Sequence, residues 1–192
     1  MKNCFFLEKE RAGLLIIDVQ EKLFPQVDHS PEVLVGILKC LQGCLKMGLP
    51  IVVSEQYPNG LGRTIPHLKQ CLPEKQKYWE KTTFSCFCDE KLKGYFLSLP
   101  VDQWILVGIE AHVCVMQTAK DLVLAGKEVV VANDAISSRS VYDFSTAISE
   151  MKDWARIAST ESVLFELIRD ASSPDFKQCL ELFKAAPRSC GC

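Results

Sequence analysis

"DQWILVGIEAHVCVMQTAKDLVLAG", residues 102–126, holds both halves of the unit whose repetition decides the fold. "DQWILVGIE" is a short apolar run bounded by polar residues, which reads as a strand buried on both faces. "VCVMQTAKDLVLAG" reads as a helix that Gly126 stops. Cys114 stands at the junction between them.

The same alternation extends in both directions. "AGLLIIDVQ" (12–20) is an apolar run ending on a carboxylate, and "LPIVVSEQYP" (49–58) is a second strand. Between them, Val33, Leu34, Ile37, Leu38, Leu41 and Leu45 recur at helical spacing over residues 31–47, with Pro31 near the first turn and Gly48 past the end. Residues 59–88 are less regular, punctuated by Gly and Pro, and precede a short helix over 89–99. Beyond the opening stretch come a strand in "KEVVVANDAISS" (127–138), a helix over 140–155 and a short fifth strand in "RIAST". A helix over 160–170 follows, with Ser159 or Thr160 as its N-cap, and a last helix over 174–184 begins at Pro174. No internal repeat or low-complexity tract interrupts the series.

Strands separated by helices need crossover connections, which implies an α/β fold: three α/β/α layers around a central, mainly parallel, Rossmann-like sheet. A chain of 192 residues is accommodated by a single domain, 1–192, with a core of about 12–184 and short tails. In an open parallel sheet, ligands bind beyond the carboxyl ends of the strands. That rule selects Asp18, the 54–57 stretch, 110–114 and Asn133-Asp134 as candidate site residues.

Composition narrows the partners. With 48% hydrophobic residues, 24% charged residues and a net charge of -2, the chain has no bias toward nucleic acid or membrane. The first residues lack a secretory or transit signature, and no apolar stretch approaches the ~20 residues of a bilayer span. A cytoplasmic location is the expectation, with a mitochondrial one compatible. The ten cysteines show no paired zinc spacing, and a reducing compartment would keep them as thiols. The terminal Cys190-Gly191-Cys192 is compatible with a prenylation signal, but no polybasic stretch supports one.

Several residues carry a chemical and a bland reading at once. Cys114, at a helix start, is placed for its thiol pKa to fall, or it is a small buried hydrophobe. Asp18 closes a fully apolar strand, so it either faces a polar crevice, where it could take a thiol proton, or caps a loop. Lys81, between Trp79 and Phe84, either snorkels to solvent or stabilises both anions. His112 is too close in sequence to Cys114 for a Cys-His dyad and reads as a pocket-rim or structural residue. His29 and His67 read as exposed, and "NGLGR" reads as a turn rather than a phosphate loop.

"LLIIDVQEKLF", "SEQYPNGLGRTIP", "EKTTFSCF", "ILVGIEAHVCVMQTAKDL", "VVVANDAISSRS" and "STESVLFELIRDASSPDFKQ" together resemble the isochorismatase-like cysteine hydrolases, above all their eukaryotic isochorismatase domain-containing branch. The match keeps the family's order from about residue 12 to residue 184. The resemblance implies the isochorismatase-like hydrolase fold and a triad of Asp18, Lys81 and Cys114. It also implies a non-proline cis peptide at Ile109-Glu110 and an oxyanion hole made of the Glu110 and Cys114 amides. Relatives hydrolyse C–N bonds of small amides through a cysteine thioester, and many are homo-oligomers.

Two departures shape the expectation. The nicotinamidase branch holds a metal through an Asp-x-His where this chain has Glu55 and Tyr57, so neither a metal nor any other cofactor is expected. Isochorismatases proper lack the cysteine and cleave a vinyl ether, whereas Cys114 is present. Phe24, Gln56, Tyr57, Phe84, His112 and Ser137 are the expected substrate-binding residues. None is a charged clamp, which points to a small, largely uncharged carbonyl substrate. Two other readings stay open: a non-catalytic oligomeric interaction module, and a redox-responsive thiol protein.

Overall fold

The computed structural model describes residues 5–184. The terminal Cys190-Gly191-Cys192 lies outside the described residues. Six strands form one sheet: β1 (Ala12–Ile17), β2 (Ile51–Gln56), β3 (Tyr78–Lys81), β4 (Gln103–Ile109), β5 (Glu128–Ser137) and β6 (Arg156–Ala158). Their spatial order is β3-β2-β1-β4-β5-β6, and every neighbouring pair is parallel. The mainly parallel sheet of the sequence reading is therefore parallel throughout. It has one strand more than the five expected, because β3 lies inside the stretch that reads as irregular.

The helices are α1 (Ser30–Lys46), α2 (Pro58–Leu61), α3 (Pro66–Cys71), α4 (Glu90–Ser98), α5 (Met116–Leu124), α6 (Val141–Met151), α7 (Thr160–Ile168) and α8 (Pro174–Phe183). Strand alternation separates two cores. Leu14, Ile16, Ile105, Val107 and Val130 meet Ile37, Leu41 and Cys44 of α1 and Val163 and Leu164 of α7. Leu15, Ile17, Trp104, Leu106 and Val131 meet Leu92 and Phe96 of α4, Leu122 of α5 and Met151 of α6. Both faces of the central strands are thus covered, as a parallel sheet requires.

Side-chain oxygens start the helices at their free amides. Asp89 accepts from Leu92 N before α4, Ser140 from Asp143 N before α6, Ser159 from Ser162 N before α7 and Ser173 from Phe176 N before α8. Of the two candidates before α7, Ser159 is the cap. Asp134, selected as a strand-end candidate, instead accepts from the Thr160 N–H and hydroxyl at 2.7 Å each.

The strand order reverses direction between β1 and β4. Strands β2 and β3 extend the sheet on one side of β1, while β4, β5 and β6 extend it on the other. The connections leaving β1 and β4 diverge at this point and open a crevice at the carboxyl ends of the two strands. Gly108 lets them approach. Its φ is +114°, and a Cβ there would sit 2.1 Å from the Ile17 carbonyl oxygen.

Candidate active site

Asp18 directly follows β1, is fully buried, and has φ 52°. Aspartate is among the few non-glycine residues that adopt this left-handed conformation readily. The turn aims the carboxylate into the crevice. Ser54, opposite Ile17 in the β1/β2 register, donates its hydroxyl to Asp18 Oδ1 at 2.7 Å.

Lys81 ends β3 and pairs with Gln56 in register. Its ammonium reaches past β2 to Asp18 Oδ2 at 2.8 Å, and both side chains are shut off from solvent. Gln56 Oε1 accepts from Lys81 Nζ at 2.6 Å, while the carbonyls of Thr83 and Phe84 accept at 3.2 and 3.0 Å. Burial works against the charge on Lys81. The groups around it, Cys86, Asp18 and Cys114, outweigh burial and hold the ammonium above the ordinary lysine value. The snorkelling alternative is removed by this geometry.

β4 is followed by the cis peptide Ile109–Glu110 and a π-helical turn, Ala111–Val115, that leads into α5. Cys114 lies in this turn, 5% exposed, with its thiol against the Asp18 carboxylate and close to Lys81. The structure corrects one expectation here. Burial, and then the neighbouring carboxylate, push the Cys114 thiol up, against the lowering pull of Lys81. A helix-start position would favour thiolate, but the cysteine sits within a buried turn and faces an anion. The sulfur rests as a thiol beside a carboxylate.

The remaining candidates separate into distinct surroundings. Gln56 is a partner of Lys81 and also donates to the Thr82 carbonyl at 2.8 Å, so its amide is committed to holding the lysine. Tyr57 and Phe84, 55% and 53% exposed, flank β3's end on the surface. Phe24 is buried in the core with Val27, Val33 and Ile65. It also lines a cavity of about 420 Å³ shared with Pro31 and Leu34 of α1. His112 Nδ1 lies 2.9 Å from the Ser138 hydroxyl, and its Nε2 lies 3.9 Å from Asp143 Oδ2.

Ser137 donates to the Asp28 carbonyl at 2.7 Å. It lines a second cavity, of about 490 Å³, with Val33, Gly36, Ile136, Val141 and Phe144.

Glu110 and Glu55 complete the charged edge. Glu110 Oε1 accepts from Arg139 Nε at 2.8 Å and from the Arg139 amide at 3.2 Å. Burial opposes its charge, yet Arg139 prevails and keeps the Glu110 carboxyl below the usual glutamate range. Glu55, the residue at the metal-ligand position of the nicotinamidase pattern, accepts from the Thr64 amide and hydroxyl at 2.7 and 2.8 Å and from Arg63 at 2.9 Å. Among the described residues, no group of three or more His, Cys, Asp and Glu side chains is arranged to hold a metal ion.

Sequence reasoning missed Cys86 and gave Ser54 no role. Ser54 stood only as one of the 54–57 strand-end residues, and its place opposite Ile17, next to Asp18, reveals its partner. Cys86 reads as one packing cysteine among ten, but it is fully buried beside Lys81 and Cys114, and its amide donates to Thr118 Oγ1 at 2.9 Å. Thr118 lies one helical turn beyond Cys114, on the same face. That spacing was the available signal.

Comparison with known proteins places the architecture in context. The isochorismatase domain model matches residues 12–162. The chain is 38% identical over 175 residues to isochorismatase domain-containing protein 1 of Danio rerio, covering 90% of this chain and 61% of that protein. It is 37% identical to isochorismatase domain-containing protein 2 of the same fish, covering 92% of this chain and 88% of the relative. Among solved structures, the MAR1 ribonuclease from Caenorhabditis elegans superposes with a TM-score of 0.89 at 34% identity, covering 97% of this chain and 96% of the other. Among the described residues, no helix is long and apolar enough to cross a membrane.

Proposed function

The chain belongs to the isochorismatase family, and from that premise we propose that it is a cysteine hydrolase cleaving a C–N bond of a small, uncharged carbonyl compound. The observation that carries this reading is the water-excluded contact of Asp18, Lys81 and Cys114, which come from three separate parts of the chain.

In the proposed mechanism, Asp18 takes the Cys114 proton as the sulfur attacks the substrate carbonyl, forming the C–S bond. A thiol held above its ordinary range needs such a base. Lys81 pairs with Asp18 and offsets the charge that passes to the sulfur. The amides of Glu110 and Cys114 receive the oxyanion. Collapse of the tetrahedral adduct breaks the C–N bond, and the amine leaves with the proton from Asp18. Water then attacks the thioester, Asp18 removes its proton, and the thiol regains it as the carboxylic acid departs.

Charge pairing supports the substrate class. Among the described residues, Lys81 is bound to Asp18, Arg139 to Glu110 and Arg63 to Glu55, so each of these three cations is already paired rather than held ready for a carboxylate or phosphate substrate. RNA, the substrate class in the name of the nematode structural relative, is for the same reason a control in which no turnover is expected. The raised thiol also weighs against a peroxide sensor, since thiolate is the form that oxidises.

The test is a panel of small neutral amides assayed by ammonia release, with intact-mass detection of an acyl adduct. Turnover with an adduct on Cys114 that disappears in Cys114→Ser and Asp18→Asn is the expected result. Turnover that survives Cys114→Ser would refute the mechanism.

A further inference from the structure

A carboxylate that must receive a proton from one fixed direction has to be held against rotation about its Cβ–Cγ bond. A single donor on one oxygen leaves that rotation free, whereas two donors on different oxygens define the carboxylate plane. Asp18 has two such donors from two strands: Lys81 Nζ at 2.8 Å from Oδ2 and Ser54 Oγ at 2.7 Å from Oδ1. Ser54 is fully buried, and its carbonyl also accepts from the Asp18 amide at 3.3 Å. The serine therefore grips the aspartate at both backbone and side chain. Behind it lies the Cys86 thiol, itself fully buried and within hydrogen-bonding reach of the hydroxyl.

Resting on the reading of Asp18 as the proton acceptor for Cys114, we propose that Ser54 is a positioning residue, whose hydroxyl fixes the Asp18 carboxylate in the plane that faces the sulfur. The titratable groups facing Asp18 are Lys81 from β3, Cys86 from the turn after it and Cys114 from the turn before α5. Of these, only Lys81 is a standing charge. The loss of one neutral donor is thus read against a constant electrostatic background.

The readout needs no substrate. Alkylation of Cys114 by iodoacetamide is followed by peptide mass across a pH series, in the full chain and its variants. A hydrogen bond to a charged group is worth on the order of a tenfold change in rate. Ser54→Ala is expected to slow Cys114 alkylation about tenfold near neutral pH. It should also move the half-maximal pH upward, because a less satisfied carboxylate raises its neighbour's thiol further. Ser54→Thr, which keeps the hydroxyl, restores both. Should Ser54→Ala fail to fold, Ser54→Cys fills the same space with a weaker donor and gives the same shift in smaller degree.

A merely structural serine would lower the melting temperature and leave the pH profile in place. Wild-type rate and midpoint in folded Ser54→Ala, with the profile of Asp18→Asn altered, would overturn the role of Ser54 and leave the hydrolase reading intact. Wild-type alkylation in Asp18→Asn would remove the base itself, and this inference with it.

Discussion

β1 and β3 each deliver one member of the buried ion pair, and they do so from opposite situations. β1 is central, with all six residues buried and partners on both sides. β3 is a four-residue edge strand, paired on one side, and Lys81 is its one fully buried position. A central strand can present a charge at its end because the whole strand is already held. An edge strand of four residues has little else to hold it, so the charge is part of its anchorage. The lysine of the proposed triad thus carries more of the local structure than the aspartate does.

The largest effect should come from breaking the pair on the edge side. Lys81→Ala leaves Asp18 without its counter-ion in a dry site, and removing one partner of a buried pair costs about 3–5 kcal/mol. Asp18→Asn should cost less, because the Lys81 ammonium keeps Gln56 Oε1 and two carbonyls as acceptors. Urea unfolding of both variants checks the asymmetry. Equal losses would break the comparison and make the two strands equivalent partners. The central side is probed by Gly108→Ala, which places a methyl group against the Ile17 carbonyl at φ +114°. Left-handed strain and overpacking together should cost roughly 3 kcal/mol, and the loss should appear as a lowered urea midpoint.

The same contrast explains what could be read from residues alone. "AGLLIID" declares itself because both faces of a central parallel strand are apolar, and a carboxylate at the end of such a run is conspicuous. "YWEK" does not, because an edge strand alternates weakly, is only four residues long and sits among Gly and Pro punctuation. Its aromatic Tyr78 and Trp79 were the available hint. Lys81 could therefore be assigned only through family resemblance, and its bland reading as a snorkelling side chain is removed only by its buried contact with Asp18. The roles of Ser54 and Cys86 were illegible for a different reason. Their significance lies in register across strands and along a helix face, which no local pattern encodes. The direction of the Cys114 shift was misread because helix-start reasoning counts the backbone amides and omits an anion arriving from 96 residues away.

A second comparison sets the sealed Asp18–Lys81 pair against the half-open Glu110–Arg139 pair, whose side chains are 8% and 57% exposed. The folded pKa of Glu110 lies below its ordinary value of 4.5. A depressed carboxyl adds stability that is fully present above the unfolded value and is lost as pH falls through the folded one. Glu110→Gln should therefore cost about 1–2 kcal/mol at neutral pH, a figure reduced by solvent around the arginine. The difference from wild type should fade once the pH drops below 4.5. Stability measured by urea titration at several pH values tests this. A difference that persists into acid would mean the glutamate acts through shape rather than charge.

The smallest effect sharpens the central-versus-edge contrast with a pair of tryptophans. Trp79, on the edge strand, meets Tyr95 in a tilted pair with ring centroids 4.7 Å apart and has the Lys77 ammonium 3.5 Å from its ring centroid. Trp104, inside β4, is fully buried and meets Phe96 edge-on at 4.7 Å, but its indole N–H is a buried polar group without a partner among the described residues. Trp104→Phe loses contacts and leaves a small cavity, an expected cost of about 1–3 kcal/mol. It also removes an unsatisfied donor, whose burial costs a similar ~1–3 kcal/mol. The two terms offset, so the variant should fall within about 1 kcal/mol of wild type. Trp104→Leu keeps the second gain but loses the edge-on contact with Phe96 and opens a larger void, so it should be clearly less stable than Trp104→Phe. If calorimetry finds Trp104→Phe as damaging as Trp104→Leu, then the indole N–H is satisfied in solution, and the central strand has more access to water than its neighbours imply.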